Sequence, residues 1–206
     1  MNIQGKAISK RAAQTGPSVD ERNRGQSLVE VALALPFLLI LFLGMVEVGW
    51  YMYAANIVHN TAREGARVAA KENVLDPKTI QDWASLVLTD VIKSTSNDYI
   101  SPNSTNDTVI VTRATSNSQG SLTYCESMSA VWPDTGSPGP DTSRVSCADL
   151  QAKIIQMGVD LGGSFGTDDF IVVEYFHHHD PLFGLTVVAP QGLTLYSYSI
   201  MRIIGQ

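Results

Sequence analysis

Cysteine is scarce in this sequence, because only two of its 206 residues are cysteine. That number is too small for a miniprotein built on a disulfide framework, and without a CxxC motif a cysteine-based metal site is not expected. Long apolar runs are equally few. A single stretch has the length to cross a bilayer, which excludes a multi-span transporter. The hydrophobic share of 44% still suffices for a buried core and excludes wholesale disorder.

Positive charge is also in short supply, and it is unevenly placed. The formal net charge of -6 argues against nucleic acid as the main partner. Residues 1–25 nevertheless carry five basic and two acidic residues, a net charge of +3, which leaves nine basic and eighteen acidic residues for 26–206. The sequence therefore joins a basic tip to an acidic body.

The one long apolar stretch begins at Val31. The nineteen residues from there to Gly49 would form a helix of roughly 28 Å, close to the roughly 30 Å thickness of a hydrocarbon core. Three aromatic residues at positions 50–53 follow at headgroup level, and the basic tip precedes the stretch. We expect one membrane span with the N-terminus in the cytoplasm. A signal peptide and a soluble core helix fit less well, because the run is long, lacks a following small-x-small site and has no polar face.

Two acidic residues lie at the edges of this span. Glu30 directly precedes it and Glu47 lies near its far end, where acids are functional by default. For Glu47 the alternative is a carboxylate that is simply solvated among the headgroups. Pro36 lies inside the span, where it removes a backbone donor and is expected to kink the helix.

The residues before the span read RGQSLVE, from Arg24 to Glu30. A glycine after basic residues, followed by a glutamate that opens an apolar helix, resembles the processing site of type IV prepilins. Cleavage after Gly25 would make Gln26 the first residue and Glu30 the fifth. The new amine of Gln26 would be cationic, and a glutamate buried among packed helices needs a cation, so Glu30 of one subunit would pair with the amine of its neighbour.

The segment that begins at this motif resembles the N-terminal domain of TadE-like proteins, which are minor pilins or pseudopilins of the tight-adherence (Flp-type) pilus system. The resemblance covers about 47 residues, and 171–203 are similar in plan to the family's closing pair of strands. Val31 stands where major Flp pilins carry tyrosine, which favours a minor component. The matching residues are Gly25, Gln26, Val29, Glu30, Ala32, Leu35, Pro36, Gly44, Glu47, Asn56, Ala62, Arg63, Glu64, Gly65, Ala66 and Arg67.

The motif AREGAR, at residues 62–67, allows two interpretations. On the first interpretation, the motif is an exposed charged turn at the membrane exit, formed by Arg63, Glu64 and Arg67. The resemblance implies the second, a docking surface for assembly. Small residues at 55, 62, 66, 69 and 70 form a strip at helical spacing that would let another helix approach closely.

Beyond the first helix, the pattern predicts an α+β domain. A second helix follows Asp76-Pro77, with apolar residues at helical spacing from 80 to 92, and 94–107 read as a loop. Residues 107–115 and 121–132 predict paired strands around a turn at 116–121, and 133–143 predict a surface excursion. Residues 146–161 indicate a short amphipathic helix, and two closing strands follow at 170–177 and 192–203. We expect a long helix packed on a small antiparallel sheet.

Cys125 and Cys147 flank the excursion rich in proline and glycine. In an oxidising exterior they are expected to form a disulfide, which would stabilise the domain by about 3 kcal/mol in the chain-entropy model. Two buried thiols are the alternative.

The run His177-His178-His179 followed by Asp180 is the one cluster that resembles a site. On a strand His177 and His179 share a face, and with a carboxylate such as Asp180 they could hold zinc or copper. The alternative is a partly exposed strand end. Adjacent histidines lack the helical spacing of a catalytic zinc motif, and we expect no metal and no other cofactor.

These observations lead to a non-enzymatic structural protein with three parts. Residues 1–25 would be a basic cytoplasmic leader that is cleaved, 26–72 the transmembrane assembly helix, and 73–206 an extracytoplasmic α+β domain. Through the resemblance, its partners would be membrane lipid, a prepilin peptidase, other pilin-like subunits and the tight-adherence assembly platform. The alternatives are a single-pass, membrane-anchored binding module outside any pilus, and an exported metal enzyme.

Overall fold

The computed structural model describes residues 19–72, 87, 107–131, 141–160, 168–182 and 192–203. The chain divides into two compact units, residues 1–46 and 47–206. The expected α+β fold is confirmed, with a long N-terminal helix, a four-stranded antiparallel sheet and a short helix. The elements are α1 (Val19–Glu72), β1 (Thr108–Ser116), β2 (Leu122–Val131), α2 (Cys147–Asp160), β3 (Asp168–His179) and β4 (Leu193–Ile203).

In the first unit, the side chains of α1 from Gly25 to Val46 are mostly exposed, and from Val31 onwards they are apolar on every side. Leucine, isoleucine, valine and phenylalanine cover its surface from Leu28 onwards, and Pro36 lies inside the helix. Within the described residues one helix, Gly25–Lys71, is long and apolar enough to cross a membrane. An apolar surface of this extent is unfavourable in water, and the helix therefore fits a single-pass membrane protein.

In the second unit, the strands follow the order β2-β1-β3-β4 and all neighbours are antiparallel. Val111 of β1 lies opposite Met128 of β2 and Val173 of β3, so β1 and β3 are the central strands. The turn between β1 and β2 depends on Gly120, whose φ of 78° belongs to the left-handed region that glycine adopts without strain. The side chain of Asn117 accepts hydrogen bonds from two amides of this turn.

The second half of α1 packs on one face of the sheet through small residues. Four alanines of α1 are fully buried, at positions 54, 62, 66 and 69. They contact alternate residues of the strands, among them Val109, Val111, Ile171 and Val173. The strip of small residues therefore packs against the sheet. The sequence had suggested a second helix as its packing partner.

Gly65 marks the closest approach of α1 to this core. A Cβ placed there would lie 2.9 Å from Cγ1 of Val87 and 3.3 Å from Cγ1 of Val173. Both neighbours are β-branched and stiff, and Val173 is held in a central strand. The glycine weakens the helix by about 1 kcal/mol relative to alanine, and the structure supplies the reason for its presence.

The opposite face of the sheet is covered by α2. Leu150 and Ile154 are fully buried there against residues such as Phe170 and Val172. Ser146 caps the helix, because its hydroxyl accepts from the amide of Asp149 (3.1 Å) and donates to the same residue's carboxylate (2.6 Å). The expected disulfide between Cys125 and Cys147 is formed, and it ties β2 to the start of α2.

Several predicted segments lie outside the described residues. They include the helix expected after Asp76-Pro77, apart from the buried Val87, and most of the segments 94–107 and 133–143. The four predicted strands and the helix at 146–161 are confirmed to within two residues at each end.

We expect Gly65→Ala to destabilise the protein, because the new methyl group must displace Val87 or Val173. The overpacking cost of about 1–3 kcal/mol exceeds the gain of about 1 kcal/mol in helix propensity. Thermal unfolding of the full-length protein in detergent should show a lowered Tm. Gly49→Ala in the same helix is the matched control, since its Cβ meets nothing within 4 Å. An unchanged Tm for Gly65→Ala would contradict the close packing described above.

Candidate functional site

The predicted processing segment lies in the exposed first part of α1. A Cβ at Gly25 would meet no atom within 4 Å. Gln26 and Glu30 are both exposed and lie one helical turn apart, with Gln26 Nε2 3.4 Å from Glu30 Oε1. The carboxylate of Glu30 is therefore at the surface of the helix, where another chain could reach it.

The charged residues of AREGAR point away from the sheet. Arg63 and Arg67 are exposed, whereas Gly65 and Ala66 are buried beneath them. Arg67 donates to both carboxylate oxygens of Glu64, at 2.8 and 2.5 Å. This hydrogen bond lowers the pKa of Glu64 and raises that of Arg67, so the pair remains ionised at neutral pH. The motif thus combines a small packing face with a charged outer ridge.

Glu47 contacts the α+β domain through its own carboxylate. Its Oε1 accepts a hydrogen bond of 3.1 Å from the amide of Leu182, in the segment that follows β3. One turn further along α1, the ring of Tyr51 meets the ring of His179 edge-on, with 6.0 Å between centroids. The carboxylate of Glu47 is thus held by the protein rather than only by solvent at headgroup depth.

Two of the three adjacent histidines are buried between the sheet and α1. His177 and His179 share this face as predicted, with 6.5 Å between ring centroids, and only 6% and 5% of their surfaces are exposed. The expectation of a partly exposed strand end is therefore wrong for both residues. It underestimated how far α1 and the chain around the end of β3 cover this edge of the sheet.

A carboxylate that the sequence did not reveal organises this cluster. Asp107, almost fully buried, accepts from the hydroxyl of Tyr175 (3.1 Å), contacts Nδ1 of His177 (2.8 Å) and accepts from the amide of His178 (3.0 Å). Burial and the neighbouring Asp107 raise the pKa of Tyr175 well above its ordinary value, which keeps the phenol protonated as a donor. Asp107 read as the last residue of a loop. Its role depends on the pairing of the next residue, Thr108, with Phe176, which the sequence does not show.

The geometry around the three histidines does not provide a set of ligands for zinc or copper. Asp180 is exposed, and His178 lies on the opposite face of β3. Within the described part of the chain no group of three or more histidine, cysteine, aspartate or glutamate side chains could hold a metal ion. Nε2 of His179 is buried and has no hydrogen-bond partner among the described residues.

His179 makes stability depend on pH. Burial, and next the nearby His177, lower its pKa below the ordinary value of 6.5, although Glu47 and Asp180 oppose the shift. The unfolded chain therefore takes up the proton first as the pH falls, and stability is lost below about pH 6.5. Thermal unfolding between pH 8 and 5 should show a shallower loss for His179→Gln than for the wild type. His178→Gln, on the other face, should retain the wild-type slope, and equal slopes for all three proteins would contradict this reasoning.

The comparison with known families found a match, and it lies on α1. Residues 25–67 match the family described as TadE-like protein. No curated protein and no solved structure matches the chain. The matched range begins at Gly25 and ends at Arg67, so it contains the exposed apolar helix, Glu47 and AREGAR. The resemblance seen in the sequence is thereby confirmed, and the chain carries the TadE-like segment at residues 25–67.

Proposed function

We propose that this protein is a TadE-like minor pilin or pseudopilin, a structural component of tight-adherence (Flp, type IVb-like) pilus assembly or secretion machinery. The observation that carries the proposal is the family match over 25–67 on a helix whose large apolar side chains are mostly exposed between Leu28 and Val48. Such a helix needs lipid before assembly and other helices after it, as a pilin does.

The same helix supports the proposed orientation. The basic leader precedes the apolar stretch, and the disulfide lies in the domain that follows it. Basic residues favour the cytoplasmic side, and disulfides persist in oxidising compartments. The protein would therefore be a single-pass membrane protein with residues 1–25 inside and the α+β domain outside.

Assembly would proceed by packing of the apolar helices, with Glu30 setting the register. After cleavage behind Gly25, the amine of Gln26 in one subunit would neutralise Glu30 of its neighbour. The exposed ridge formed by Arg63 and Arg67 supplies a second contact surface, because the opposite side of the helix is occupied by the sheet. No catalytic residue is needed for this role.

Cleavage after Gly25 can be tested by intact mass spectrometry of protein recovered from membranes of cells that contain the matching prepilin peptidase. The wild type should lack residues 1–25, whereas Gly25→Ala should retain them. Because a Cβ at Gly25 meets nothing within 4 Å, the substitution alters recognition by the peptidase without disturbing the fold. Gly44→Ala, equally free of contacts, should be cleaved normally. Full-length mature wild-type protein would refute the prepilin assignment.

The role of Glu30 separates a pilin from a membrane-anchored module outside any pilus. Glu30→Gln keeps the size of the side chain but removes its charge, so incorporation into the pilus fraction should fall at least about tenfold while cleavage continues. Glu126→Gln, which removes an exposed acid of β2, should assemble like the wild type. Normal assembly of Glu30→Gln would argue for the membrane-anchored module.

A further inference from the structure

A groove of about 420 Å³ lies between α2 and the edge strand β4, on the sheet face that does not contact α1. Its size falls in the range of small-molecule sites, roughly 300–1,000 Å³. The lining includes two cations, Arg144 and Lys153, and two tyrosines, Tyr196 and Tyr198. None of these four residues has a part in the function proposed above.

The two cations are held over aromatic rings. Cζ of Arg144 lies 4.7 Å from the ring centroid of Tyr196 and 5.4 Å from that of Phe176. Nζ of Lys153 lies 5.2 Å from the centroid of Tyr198 and donates to its hydroxyl at 2.8 Å. In the part of the chain that the structure describes, neither cation forms an ion pair with a carboxylate. Their remaining donors are therefore available to an anion.

A buried carboxylate beneath the groove fixes its wall. Glu174 of β3 is fully buried and accepts from the hydroxyl of Ser143, the amide of Arg144 (2.9 Å) and the hydroxyl of Tyr196 (2.9 Å). Burial, followed by this hydrogen bond, raises the pKa of Tyr196, so its phenol remains a donor. The backbone that carries Arg144 and the ring beneath its guanidinium are thus both anchored to the centre of the sheet.

The charges of the groove favour an anion with polar surroundings. Asp149, whose carboxylate accepts from Ser146 in the cap of α2, also lines the groove, which is left with one cation in excess. The apolar contribution comes from Val145, which is buried, and Ala152, which is small, so the groove offers no deep pocket for an apolar side chain of a peptide. A planar guanidinium matches a carboxylate in a bidentate fashion. The hydroxyl of Tyr198, which accepts from Lys153, still has a proton that it can donate to a sugar hydroxyl, whereas that of Tyr196 donates to Glu174.

We propose that this groove binds an acidic saccharide, with Arg144 and Lys153 contacting its carboxylate and Tyr196 and Tyr198 lying beside the sugar ring. The location of the groove outside the cytoplasm rests on the orientation given under the proposed function. The chemistry of the groove does not depend on cleavage or pilus incorporation. Binding by the purified protein therefore tests the saccharide site separately from the pilin assignment.

Isothermal titration of the full-length protein in detergent with tri-galacturonic acid tests this site. The wild type should bind the acid with an affinity that falls as salt rises, and it should not bind the neutral galactose trimer. Arg144→Gln and Lys153→Gln should each weaken binding about tenfold or more. Arg202→Gln is the matched control, because this arginine of β4 pairs with Asp168 at 2.7 Å, outside the groove, and binding should be unchanged.

Three results would overturn the proposal. The first is failure of the wild type to bind the acidic trimer. The second is binding of the trimer by Arg144→Gln and Lys153→Gln that is as tight as its binding by Arg202→Gln. A preference for glycerol 3-phosphate or for a glutamate-rich peptide would assign the groove to a phosphate headgroup or to a protein partner. Lys153 is exposed on α2, so its variant keeps the test valid even if Arg144→Gln fails to fold.

Discussion

The close approach of α1 to the sheet is the constraint on which the α+β domain depends. Fully buried alanines, together with Gly65, bring the helix backbone near Val173 in the central strand β3. A larger side chain at these positions would separate the layers and expose the valines of β1 and β3. The conflict between helix propensity and packing at Gly65 is resolved in favour of packing, because the core gains more than the helix loses.

Two buried carboxylates organise the chain on opposite faces of the sheet. Asp107 gathers Tyr175 and His177 on the face covered by α1, and Glu174 anchors the segment before α2 on the other. Each accepts hydrogen bonds from main-chain and side-chain donors, as a carboxyl group removed from water requires. The disulfide joins the start of α2 to β2 by a covalent bond. The position of α2 on the sheet is therefore fixed both by this bond and by the hydrogen bonds of Glu174.

Local pattern predicted most of the described fold. The apolar run identified the first part of α1, and alternation identified β1, because burial of one face of a strand imposes a period of two. The cysteine pair and the shared face of His177 and His179 also followed from sequence. The burial of these histidines and the role of Asp107 did not, because they depend on which strands pair and on what covers the sheet edge. The role of Glu174 could not be predicted for the same reason, because the position of a single acid in an apolar strand does not show which groups donate hydrogen bonds to it.

The contrast between the two parts of α1 limits where assembly contacts can form. From Leu28 to Val48 most of the large apolar side chains are exposed, so this surface must be covered by lipid or by other apolar helices. From Ala54 to Ala69 one side of the helix is buried against its own sheet. That part can offer a neighbour only its outer ridge, where Arg63 and Arg67 lie. In the proposed assembly, apolar contacts between subunits would therefore belong to the membrane part of the helix, and contacts beyond it would be polar and more sensitive to salt.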